Sequence, residues 1–221
     1  MRTPSTVFII HTSAVSLGPM AALFAELAPA VTVRNIMDDS LLPEVIAHGG
    51  PTDAVRQRLA HYFTCAERAG ADLVFNQCSS VGEAADEAAE GLAVPMIKVD
   101  QRMCEVAVRT GRRIGVVATL DTTLGPSGRL LRHTAERLGR PVQLTERVCE
   151  GAFDKLVGND RAGHNRTVLQ TIRALFDHVD VVVCAQGSMA ALVPELGETP
   201  VPVLTSPRLG VEHAVEILTR P

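Results

Sequence analysis

The sequence predicts an α/β protein made of two pseudo-symmetric lobes, each a parallel sheet covered by helices, with a cleft between them. Two observations carry this expectation. Short apolar runs alternate with longer amphipathic runs along the chain, the pattern of strands joined by crossover helices. The chain also repeats itself: "ADLVFNQCSSVGEAA" from Ala71 returns 108 residues later as "VDVVVCAQGSMAALV".

The candidate strands are Thr6–Ile10, Val31–Arg34, Leu73–Asn76, Met96–Val99, Arg113–Ala118, Val142–Leu144, Val181–Cys184 and Val203–Thr205. Each is short and rich in branched apolar residues. "LVFN" and "VVVC" are nearly continuous apolar runs, as strands covered on both faces must be. Helical spacing predicts helices over Pro19–Leu27, Pro51–Ala69, Val81–Glu90, Gln101–Thr110, Ser127–Leu138, Arg161–Phe176 and Gly210–Leu218. The first two open on proline, whose missing N–H is harmless in a first turn. "GGP" at 49–51 and "LGPSG" at 124–128 read as loops.

The repeat sets the domain organisation. Asp72 and Asp180 open equivalent strands, and a small polar turn then opens a helix in each copy. "VFIIH" at Val7–His11, moved on by 108 residues, meets "GVVAT" at Gly115–Thr119, and "VPMIK" at 94–98 answers "VPVLT" at 201–205. These units predict lobes over 1–100 and 101–221, with Cys78 opposite Gln186 across the cleft.

Composition narrows the function. The 221 residues are 46% hydrophobic and 21% charged with net charge −4, and their Lys and Arg are scattered. That leaves no basic footprint for nucleic acid, and with no Trp and one Tyr there is no base-stacking platform. No apolar run reaches membrane-spanning length, and "MRTPSTVFII" lacks the long apolar stretch of a signal peptide. A cytoplasmic protein is expected. Its five cysteines lack CxxC spacing and read as reduced thiols. No GxGxxG follows the first strand, and no His/acid spacing suggests a metal, so neither a nicotinamide cofactor nor a metal is expected.

Ligands of parallel sheets bind beyond the carboxyl ends of the strands, so the residues there are the candidates. Cys78 sits where a strand turns into a helix. Helix-start N–H groups favour an anion, which predicts a lowered thiol pKa and a base, acid or nucleophile. Ser79 and Ser80, with Gly187 and Ser188 in the second copy, could hold a carboxylate and an enolate oxygen; serines there also cap helices. His11, Thr12 and Ser13 follow the first strand, Thr119 follows its repeat partner, and Thr122 and Thr123 continue that loop. These could grip polar groups, or only close turns. His11 is a proton carrier or a satisfied structural histidine. Gln186 cannot ionise, but its amide can orient a carbonyl or hydroxyl. Cys184 lies within a strand and reads as a core thiol, Cys65 and Cys104 as packing residues on helices.

The segments "ADLVFNQCSSVGEA", "RRIGVVATLDTTLGPSGRLLRHTAERLG" and "VDVVVCAQGSMAAL" resemble the aspartate/glutamate/hydantoin racemase superfamily over essentially the whole chain. The resemblance implies a cofactor-independent, two-lobed enzyme acting beside a carboxylate or carbonyl of a small molecule. Such enzymes carry a catalytic cysteine after an equivalent strand in each lobe. The first falls on Cys78. The second departs from the pattern: the family's Gly-Cys-Thr falls on Ala185-Gln186-Gly187, and Cys184 comes two residues early. The resemblance thus implies a racemase or isomerase, with a one-base decarboxylase or lyase, or a non-catalytic small-carboxylate binder, as the alternatives. A homo-oligomer is compatible with it.

Overall fold

The structure is a computed structural model that describes residues 5–219. The chain runs β1 (Thr6–His11), α1 (Leu17–Leu27), β2 (Thr32–Met37), α2 (Leu41–His48), α3 (Asp53–Arg68), β3 (Leu73–Asn76), α4 (Gly82–Ala88) and β4 (Met96–Lys98). It continues through α5 (Gln101–Thr110), β5 (Arg113–Ala118), α6 (Asp121–Arg137), β6 (Gln143–Val148), α7 (Ala152–Val157), α8 (Arg161–Arg173), β7 (Val181–Cys184), β8 (Val203–Thr205) and α9 (Ser206–Thr219). Each expected strand is present. The chain divides into two compact units, Asp100–Ser206 forming one and the described residues before and after it the other.

The first unit holds the sheet β2-β1-β3-β4, all parallel. Alternation along the strands sends side chains to two faces. Ile10 and Val74 pack with Leu41, Val45, Leu59 and Phe63 of α2 and α3. Val7, Ile9, Leu73 and Phe75 pack with Met20 and Phe24 of α1 and with Val211 and Ala214 of α9. The last helix thus belongs to the first unit, whereas the sequence-based boundary assigns it to the lobe 101–221. Periodicity identifies an apolar helix face but not the sheet that it covers. Gly210 allows the approach: a Cβ there would lie 2.7 Å from the Val99 carbonyl oxygen.

The second unit repeats the plan as β6-β5-β7-β8, again parallel. Val117, Val182 and Cys184 pack with Val168, Leu169 and Ile172 of α8 on one face. The repeated aspartates have a mechanical role. Asp72 accepts the backbone N–H of Thr6 at 2.7 Å. Asp180 accepts those of Arg112 and Arg113 at 2.9 and 2.8 Å. Each carboxylate ties the start of one central strand to its neighbour.

Register corrects one detail of the repeat. Val7 pairs with Leu73 and Ile114 with Val181. The β1/β5 offset is therefore 107 residues, one fewer than the β3/β7 offset of 108. Because strand side chains alternate faces, a one-residue slip changes every equivalence. Thr119 is the counterpart of Thr12, and His11 is the counterpart of Ala118.

Two helices go unseen in the sequence, α2 and α7. Pro43 in "LLPEVIAH" reads as a breaker, but it lies in the first turn, where its N–H is not needed. A third helix begins early. α6 starts at Asp121, not Ser127, so Thr122, Thr123 and "LGPSG" are helical and not loop. Pro126 forfeits one internal hydrogen bond. Burial of Thr123, Ser127, Gly128 and Leu131 along one face holds the turn together.

Candidate active site

In the first unit, the ends of β1 and β3 gather His11, Thr12, Ser13, Cys78, Ser79 and Ser80. β3 is buried at every position, so the first residues free to expose a polar group come after Asn76. Cys78 is the cap of a 3₁₀ turn, Ser79–Val81, that leads into α4, with extended backbone at φ −119°, ψ 116°.

Four hydrogen bonds reach the Cys78 sulfur: from the hydroxyls of Thr12 and Ser80 and from the backbone N–H groups of Ser80 and Val81. They stabilise a thiolate. Burial outweighs them and raises the thiol pKa above its ordinary value. The lowered pKa expected from sequence is therefore not found. Part of the residue is still reached by solvent, but protein crowds the sulfur, and lost hydration costs an anion more than four donors return. At neutral pH the resting group is a thiol, set among donors arranged for the anion it would become.

The cradle has supports that the sequence analysis did not single out. Asn76 is fully buried at the end of β3, and its Nδ2 donates to the Cys78 carbonyl at 3.0 Å. An amide closing an otherwise apolar buried strand was the available signal. His11 is fully buried as well. Its Nε2 lies 2.9 Å from Asn35 Oδ1 and its Nδ1 2.7 Å from Ser16 Oγ. Burial lowers its pKa, and the Asn35 bond only partly restores it. His11 is a neutral ring with both nitrogens occupied. Ser13 turns its hydroxyl to the N–H of Val15 as a local cap. Ser79 and Ser80 are buried in the 3₁₀ turn.

In the second unit, the ends of β5 and β7 gather Thr119, Gln186, Gly187 and Ser188. Gln186 caps the 3₁₀ helix Gly187–Ala191 at φ −117°, ψ 130°, a near copy of Cys78. Its Oε1 accepts from the Thr119 N–H at 2.5 Å and the Thr119 hydroxyl at 2.9 Å. Ser188 is exposed. Thr122 and Thr123 lie in the first turn of α6, with Thr122 Oγ1 buried and unpartnered and Thr123 buried.

Cys184 is fully buried in β7, at the place Asn76 holds in β3. Burial first, and the neighbouring Cys149 second, push its pKa up to about 12. It is a core thiol. Cys104 is buried, but Cys65 is exposed, contrary to its expected packing role. It lies 3.5 Å from His61 Nε2. Among the described residues no three His, Cys, Asp or Glu side chains form a metal-binding group, and no helix is long and apolar enough to cross a membrane.

No curated protein sequence matches the chain. Among solved structures, glutamate racemase from Francisella tularensis in complex with D-glutamate is similar with a TM-score of 0.77 at 12% identity, over 98% of this chain and 82% of that one. Allantoin racemase from Klebsiella pneumoniae is similar at 0.70 and 19% identity, over 97% and 87%. An unliganded arylmalonate decarboxylase is similar at 0.58 and 18% identity, over 97% and 93%. These likenesses establish the shared fold. The family model described as Asp/Glu/Hydantoin racemase matches residues 9–214, and the chain belongs to that family.

Proposed function

We propose that the protein is a one-thiol enzyme that works without a cofactor on a carbon next to a carboxylate or carbonyl of a small molecule, with Cys78 as its proton carrier. The observation behind this reading is the inequality of two matched turns. One presents a thiol to four hydrogen-bond donors; the other presents an amide whose oxygen is already taken by Thr119. The other thiol near this turn, Cys184, is in the core.

The chemistry follows from the state of the sulfur. When a carbon beside a carboxylate loses a substituent, its electron pair spreads into an enediolate. The Cys78 S–H then gives its proton to that carbon, and the thiolate left behind is held by Thr12, Ser80 and the N–H of Val81. Water restores the proton. Run in reverse, the thiolate removes a proton from the same face. Its raised pKa makes it a scarce but strong base. Inversion of a stereocentre needs a second carrier on the other face, and Gln186 has no proton to exchange. One-face outcomes, namely decarboxylation, tautomerisation or isomerisation, are favoured over racemisation. The unpaired thiols fit a reducing compartment, the cytoplasm. The test is to compare Cys78→Ala with the parent on a panel of substituted malonates, 2-oxo acids and amino acids in deuterated water. Deuterium enters the product in one configuration with the parent and not at all with the variant. Turnover by Cys78→Ala refutes the reading.

A further inference from the structure

The geometry points to Gln186 as a fixed hydrogen-bond donor for an oxygen of the substrate, a residue that selects an oxygen acceptor and disfavours an ammonium group. This rests on the reading that the chain acts on a small carboxylate, and it names the class more narrowly.

The argument begins with which end of the amide points where. Amide oxygen and nitrogen are ordinarily told apart only by their partners. Here the partner is a backbone N–H, that of Thr119 at 2.5 Å, which can only donate. The atom facing it must be the oxygen. The Thr119 hydroxyl, 2.9 Å away, gives a second donor to the same atom. With Oε1 held twice, the Nε2 group and its two N–H bonds face elsewhere. No described residue accepts from it, and Gln186 is half-buried, so the amide keeps two N–H donors that no described protein group takes up. Its setting at the carboxyl end of β7, on an extended cap, is where parallel sheets present ligand-binding groups.

A donor-only group matches an acceptor-only group. A carboxylate or ketone oxygen takes its N–H bonds, a hydroxyl can do so by turning, and an ammonium cannot. The preferred substrates are therefore oxo acids or dicarboxylates with an oxygen at this point, and free α-amino acids are discriminated against.

The experiment uses the full-length Cys78→Ser protein, so that no turnover disturbs binding. Calorimetry measures 2-oxoglutarate, 2-hydroxyglutarate and glutamate, and in parallel oxaloacetate, malate and aspartate. Within each set only one substituent changes, from acceptor, to both, to donor. We expect at least one set to bind in the order oxo, hydroxy, amino, with about tenfold between the ends. Adding Gln186→Glu, which turns the donor into an acceptor, reverses the order. Adding Thr119→Val, which removes one of the two donors that hold Oε1 and leaves the backbone N–H as the other, loosens the amide and shrinks the preference about threefold. Should Gln186→Glu fail to fold, as judged by its thermal transition, Gln186→Met removes the donor at similar size, and the preference disappears. An order unchanged by these substitutions, tightest binding of an amino compound, or no binding in either set overturns the assignment. Because Cys78 is absent throughout, these results are independent of whether Cys78 carries the proton; that reading fails instead on turnover by Cys78→Ala.

Discussion

The Cys78 turn and the Gln186 turn are built on one template and carry different chemistry. Their cap residues share an extended backbone, at φ −119°, ψ 116° for Cys78 and φ −117°, ψ 130° for Gln186. In each, the cap carbonyl accepts from the N–H three residues on, at 3.4 Å from Val81 and 3.0 Å from Met189. In each, the threonine after the neighbouring strand turns to the cap side chain, Thr12 to sulfur and Thr119 to the amide oxygen. The lesson is that the template supplies donors at a fixed place. The side chain standing there decides whether they support an anion that can take a proton back or a dipole that cannot.

The largest expected effect breaks the comparison at its thiol-bearing member. Cys78→Ala removes the thiol that these four donors surround, and turnover falls by about a thousandfold or more, as is usual when an enzyme's proton carrier is deleted. The thermal midpoint moves by no more than a few degrees, because little apolar packing is lost. Steady-state rates and calorimetric melting check the two halves of this prediction.

Next in size is the contrast between the proposed proton carrier and the core thiol. Cys184 has its pKa raised from 9.0 to about 12. A raised acid pKa means that the folded state holds its proton longer than the unfolded chain. The resulting stability is complete below about pH 9 and is lost as pH rises toward about 12. The loss is on the order of a few kcal/mol at the top of that window. Urea melts from pH 8 to 11 should show the wild type losing stability more steeply than Cys184→Ala. Equal slopes would mean that the thiol is more hydrated than its burial implies.

A smaller effect separates the two threonines. Thr12→Val removes one of the four donors that favour the thiolate, and the Cys78 thiol pKa rises further. Thr119→Val, at the equivalent position, leaves that titration unchanged. Thiolate absorbance against pH, with Cys78→Ala as the blank, reads both. The smallest effect is one of order. At neutral pH a thiol reagent labels exposed Cys65 before Cys78, whose donors await a thiolate that burial keeps scarce. Prior labelling of Cys78 would show that the cradle outweighs burial.

Much of this was legible in the sequence. The strands could be read because a parallel strand covered on both faces is a compact apolar run, as in "LVFN" and "VVVC". The place of Cys78, on the turn after a central strand, could be read because small polar residues follow such a run. What escaped was geometry decided by parity or by balance. The one-residue difference in register, invisible in the apolar strings, exchanged His11 for Thr12 as the partner of Thr119. The direction of the Cys78 shift escaped because donors can be inferred from a turn, but the burial opposing them depends on distant packing. Asn35, which holds His11, lies on a strand whose alternation gives its amide no special mark.

The most direct test of the central claim, that one turn carries a proton and its twin does not, is chiral chromatography of single enantiomers of aspartate, glutamate and 5-substituted hydantoins after incubation with wild type and with Gln186→Cys. The account predicts that the wild type leaves each enantiomer optically pure beyond the enzyme-free blank. It also predicts that Gln186→Cys, which restores a thiol to the twin turn, gains measurable inversion of at least one. Rapid inversion of any of them by the wild type would contradict it, and would direct attention to Cys184 as the second carrier.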